Sequence, residues 1–196
     1  MLSSADADLA RRDAALPGLA TLLDPEAFAA RISGFLPDGD PPVARVTYAR
    51  HKPGKSCVVG YRMKIGASVA HLYAKVSPSS ARTATVREGK GLLPPQGSGR
   101  FVLDDGATTV CVFPTDHKLK GIRHLVDPAM RRRLLRKLVP DRDGLWGGTI
   151  EGLRYMPERR YVSRLTCGGR PVAVLKVYTE REYPSVRAKA GMFESG

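Results

Sequence analysis

Apolar and polar residues alternate along this chain in two periods. Phe28, Ile32 and Phe35 recur at helical spacing behind Asp24-Pro25-Glu26. That tripeptide is a helix start: an acid to cap the first amides, Pro at the first position, then an acid near the positive helix end. Gly34, Pro37 and the stretch from Gly39 to Pro42 end the segment,. The period then shortens to two, and Val43–Tyr48, Cys57–Ile65 and Val69–Val76 read as strands, separated by turns at Lys52-Pro53-Gly54-Lys55 and Gly66-Ala67,. Ser77–Lys90 reads as a polar helix. Phe101–Leu103 and Thr108–Phe113 flank Asp104-Asp105-Gly106 as a hairpin,. A helix is expected over Asp127–Val139, with Met130, Leu134, Leu135 and Leu138 on its apolar face and Arg131, Arg132, Arg133, Arg136 and Lys137 on the other,.

Pro140–Gly148 breaks this pattern. Three strands follow, at Glu151–Tyr155, Arg160–Thr166 and Val172–Tyr178, with turns at Met156-Pro157-Glu158-Arg159 and Gly168-Gly169-Arg170-Pro171. Tyr183–Phe193 reads as a helix. The fold class expected is α+β, with residues 1–42 a helical segment, 43–114 a first unit, 115–148 a helical connector and 149–196 the start of a second unit.

The second group of strands repeats the first. With Pro53 over Pro157, Lys55 falls on Arg159 and Val58 on Val162. Further on, Leu72–Val76 matches Ala173–Val177, and Lys75 falls on Lys176. Each Lys strand leads towards a helix bearing a Glu, Glu88 in the first copy and Glu194 in the second. A Lys between apolar residues of a strand either snorkels to solvent or finds an anionic partner.

Composition narrows the choice of chemistry. The chain has 196 residues, 42% of them hydrophobic and 26% charged, enough for a packed core,. Its 32 Lys and Arg against 19 Asp and Glu leave a net charge of +13, which invites a polyanion,. No stretch approaches the roughly 18–20 apolar residues of a membrane span. The N-terminus lacks a basic start followed by an apolar run, so a cytoplasmic protein without a membrane partner is expected. Three scattered cysteines, Cys57, Cys111 and Cys167, argue against a disulfide framework or a zinc knuckle,. Cys111, His117 and His124 are too irregularly spaced for a metal centre.

Val172–Lys176 resembles the Val-Ala-Ile-Lys strand of protein kinases. Together with Leu153–Leu165, Val172–Tyr178 and Val110–Leu135, it makes residues 43–196 resemble the aminoglycoside phosphotransferase family of the kinase-like superfamily. The resemblance implies two kinase-small-lobe-like units and binding of ATP with Mg. It implies Lys176 and Glu194 as nucleotide-binding residues, with Lys75 and Glu88 as their equivalents in the other copy. In that family a large lobe carries an Asp base, an Asn and a metal-binding Asp, and reads the hydroxyl-bearing small-molecule acceptor. No such loop occurs here; Asp116-His117 has the reversed order and no Asn at the right distance. No catalytic residue is therefore assigned. The expectation is the amino-terminal fragment of a phosphotransferase, partnered by the missing large lobe and inactive alone. Two departures stand out: Lys75 lacks a Val-Ala pair before it, and neither hairpin turn is glycine-rich. The alternatives are a basic nucleic-acid-binding module, poorly supported at 7% aromatic residues,, and a non-catalytic regulatory cap.

Overall fold

A computed structural model describes residues 2–36, 39–78, 99–103 and 107–191. The chain is α+β and divides into two compact units, Met1–Phe113 and Pro114–Gly196.

The first unit opens with three helices: α1 (Ser4–Arg12), α2 (Leu19–Leu23) and α3 (Pro25–Ile32). The expected start of α3 forms. Asp24 accepts the amides of Glu26 at 3.0 Å and Ala27 at 3.2 Å, and Pro25 takes the first helical turn,. Strands β1 (Val43–Lys52), β2 (Ser56–Ile65), β3 (Ser68–Val76), β4 (Arg100–Val102) and β5 (Thr108–Val112) make an antiparallel sheet of order β1-β2-β3-β5-β4. Period two places Cys57, Val59, Tyr61 and Met63 on one face of β2, where they join Phe28, Ile32 and Leu22 in the core,. Phe28 stacks on Tyr61 with ring centroids 4.0 Å apart. The buried Tyr61 hydroxyl donates to the Leu22 carbonyl, which satisfies its polar end, and burial pushes its phenol pKa up,. β4 and β5 pair as the hairpin pattern requires, Phe101 opposite Val110. The Asp104-Asp105-Gly106 turn and most of the expected Ser77–Lys90 helix lie outside the described residues.

The second unit holds α4 (Gly121–Val126) and α5 (Pro128–Leu138), then β6 (Thr149–Met156), β7 (Arg160–Cys167) and β8 (Arg170–Tyr178) in an antiparallel sheet of order β6-β7-β8, then α6 (Tyr183–Gly191). The last turn is tighter than expected. Gly168 and Gly169 both take positive φ, and Arg170 and Pro171 already belong to β8,. Helix α4 escapes the periodicity reading because six residues are too short to show a period.

The apolar face expected for α5 is corrected. Met130 and Leu138 are exposed, whereas Arg131 and Leu135 are buried. Arg131 turns inward because the C-terminal carbonyls of α4 need donors. Its guanidinium donates to the carbonyls of Leu125 at 2.8 Å, Val126 at 3.3 Å and Gly148 at 2.9 Å. One buried cation thus ties α4, α5 and the entry to β6 together.

Candidate functional site

Each unit carries one proline hairpin turn, and the two turns are built alike. Lys55 N donates to Lys52 O at 3.0 Å, and Arg159 N donates to Met156 O at 3.0 Å. In each turn Pro holds the second position and a residue of positive φ the third: Gly54 at 65° and Glu158 at 58°. Type II turns demand that pairing. Glycine meets it without strain, whereas a glutamate pays about 1–2 kcal/mol for the left-handed conformation.

Each turn is held by an aspartate from far upstream in its own unit. Asp13 Oδ2 accepts the Gly54 amide at 3.0 Å and lies 2.7 Å from His51 Nε2. Asp116 Oδ2 accepts the Glu158 amide at 3.0 Å and the Tyr155 hydroxyl at 2.8 Å. Asp116 Oδ1 accepts two more amides, of Lys118 at 2.8 Å and Leu119 at 2.9 Å. The Gly54 amide first, and His51 second, hold the Asp13 carboxyl below the usual carboxylate range,. Glu158 is buried and meets Lys118 at 3.0 Å, an interaction that holds its side chain in place.

The aspartate clamps extend the internal repeat into the helices, which the sequence reading left out. Asp13, Leu16, Gly18, Leu22, Asp24 and Pro25 stand 103 positions before Asp116, Leu119, Gly121, Leu125, Asp127 and Pro128. The equivalents share roles. Leu16, Leu22, Leu119 and Leu125 are all buried, and Asp24 and Asp127 both cap a helix whose first residue is Pro. The common spacing Asp-x-x-Leu-x-Gly, followed by Leu-x-Asp-Pro, was the available signal. One position changes character: the core residue Phe28 corresponds to the buried Arg131.

The two lysines sit at matching register. Val58 faces Lys75 across β2 and β3, and Val162 faces Lys176 across β7 and β8. Tyr161, Ser163 and Leu165 are buried on the opposite face of β7. Lys176 therefore shares its face with Val162 and Val174, the latter 56% exposed,. Lys75 is half-buried and Lys176 exposed. Glu88 and Glu194 lie outside the described residues, so neither expected Lys–Glu pair is placed. Glu182, nearer to Lys176 in sequence, accepts from Arg159 Nη2 at 3.0 Å and Nε at 3.3 Å.

Other candidate chemistries find little. Cys57 is buried, and desolvation pushes its thiol up to about 11, which suppresses the nucleophilic thiolate at neutral pH,. No group of three His, Cys, Asp or Glu able to hold a metal stands together among the described residues. The basic stripe of α5 is narrower than its sequence suggests. Arg131 is buried, and Arg136 lies over the Trp146 ring at 5.1 Å, leaving Arg132, Arg133 and Lys137 exposed. No described helix is long and apolar enough to cross a membrane. No family model matches the chain, and no significant match is found among curated proteins or solved structures.

Proposed function

We propose that this chain supplies the nucleotide-phosphate anchor of an ATP-dependent small-molecule phosphotransferase, with Lys176 as the anchor. ATP with Mg is then the cofactor, and a hydroxyl-bearing small molecule the acceptor, of a parent enzyme whose large lobe completes the site. One observation carries this reading: Lys176 is exposed on the sheet face it shares with Val162 and Val174. A flat apolar base can lie on two valines while an ammonium meets its phosphates. The clamped Met156–Arg159 turn supports the same reading by fixing the β6–β7 hairpin that borders this face.

Glu194 is the proposed partner of Lys176, and Lys75 with Glu88 the corresponding pair of the first unit. Magnesium would supply charge neutralisation when bound. The described residues offer it no cluster of ligands, so this chain's contribution is to bind and orient the nucleotide,. Phosphoryl transfer also needs a positioned base, so the chain alone binds without turnover.

An acyl-phosphate derivative of ATP tests the assignment, since it acylates a lysine held against the phosphates. Lys176 is expected to label faster than the exposed Lys64, and excess ATP to suppress that labelling. Equal labelling of the two lysines, unaffected by ATP, rejects Lys176 as the anchor. ATP turnover well above that of a Lys176→Ala variant rejects the claim of inactivity.

A further inference from the structure

We propose that the cleft between the Met156–Arg159 turn, the end of β8 and the first turn of α6 binds the phosphate monoester of a small organic molecule. The cleft encloses about 460 Å³ and is lined by Arg159, Arg160, Arg181, Glu182 and Ser185, with Met156 and Val186 as its apolar part. Three guanidinium groups thus face one carboxylate. Glu182 is already engaged, because Arg159 donates to it twice. Arg160 and Arg181 are left without an acidic partner among the described residues.

Arg160 carries the argument furthest. It begins β7, paired with Met156 on one side and Tyr178 on the other, and its Nε is buried without an acceptor. A buried donor with no acceptor costs free energy that an incoming anion returns. The planar guanidinium fork matches the oxygens of a tetrahedral phosphate. Ser185 adds a hydroxyl donor at the cleft wall. The volume exceeds what a bare phosphate needs and falls within the range of small-molecule pockets, so Met156 and Val186 have room to meet an organic group.

The site adjoins the Lys176 anchor on the same sheet face, because Arg160 and Val162 share one side of β7, and Tyr178 and Lys176 one side of β8,. Lys176 does not line the cleft and stands two residues before Tyr178 in β8, roughly 7 Å along the strand. Because Lys176 is not a lining residue, the Lys176→Ala chain tells the cleft apart from the nucleotide anchor.

Titration of the 196-residue chain with phenyl phosphate, followed by the Arg160 Nε–H resonance and by calorimetry, tests the proposal. Saturable binding is expected, with a shift at Arg160 and no binding of phenol under the same conditions. Arg160→Gln with Arg181→Gln should weaken binding at least tenfold. Arg181→Gln alone, at an exposed position with no structural bond to lose, should weaken it at least threefold, while Lys176→Ala changes it less than twofold. Absence of saturable binding, undiminished binding in the Arg181→Gln chain, or loss of binding in the Lys176→Ala chain overturns the assignment. Loss of ATP-protected acylation at Lys176 with phenyl phosphate binding intact would instead reject the nucleotide anchor alone.

Discussion

Asp116 Oδ2 receives the Glu158 amide at 3.0 Å, the same distance at which Asp13 Oδ2 receives the Gly54 amide in the other unit. In both cases a carboxylate just before a pair of helices, α2 and α3 in one unit and α4 and α5 in the other, reaches the tip of the hairpin that follows them. The flanking partner differs, His51 for one and Tyr155 for the other, but both stand at the same place in the repeat. The clamp links the helical layer to the turn without adding apolar surface.

Replacing Asp116 with Ala should destabilise the second unit by about 3 kcal/mol, because one buried carboxylate satisfies three amides and a hydroxyl,. Asp127 accepts the Met130 amide as a helix cap, and its loss should cost only about 1 kcal/mol,. Urea denaturation of the two variants, monitored through the Trp146 fluorescence of that unit, measures the difference. Equal costs would show that the clamp acts as no more than a cap.

Gly54 isolates the backbone contribution. An added Cβ meets nothing within 4 Å, yet φ is 65°, so Gly54→Ala should lose about 1–2 kcal/mol through conformation alone,. Gly54→Asn should lose less, since Asn tolerates the left-handed region. Thermal denaturation of both variants distinguishes them, and an Ala variant as stable as the parent would contradict the turn assignment.

Arg131→Ala should destabilise by about 2–3 kcal/mol, because it leaves the carbonyls of Leu125 and Gly148 without their charged donor,. The neighbouring Arg132→Ala, at an exposed position, should stay within about 0.5 kcal/mol of the parent,. Chemical denaturation of this pair measures the difference. Similar losses for both would place Arg131 on the solvent face.

Asp13 should make the first unit sensitive to acid. Its folded pKa lies below the ordinary 3.8, so its stabilising contribution is present above that value,. As pH falls below 3.8 towards the folded pKa, the carboxylate takes up a proton and that contribution is lost. An Asp13→Asn chain should therefore show a flatter loss of stability below pH 4 than the parent. Parallel pH dependences in the two would remove Asp13 as the source.

Much of the local structure was legible in the sequence. Period-two patterning located the three strands of each repeat, and Asp24-Pro25-Glu26 located the start of α3. These signals are local: strand alternation, capping chemistry and turn residues act within a few positions of one another. The alignment of Val58 with Val162 and Lys75 with Lys176 also followed from residue order, and the strand registers place Val58 opposite Lys75 in one unit and Val162 opposite Lys176 in the other.

The tertiary structure alone decided what depends on partners distant in sequence. Arg131 reads as one of a run of solvated arginines, and only the approach of the α4 carbonyls shows why it turns inward. Asp116 reads as half of a reversed catalytic pair, yet it clamps a turn some forty residues away, as Asp13 does. A polar side chain in low dielectric goes where its hydrogen bonds can be completed, and hydrophobic periodicity contains no record of where those acceptors and donors will be.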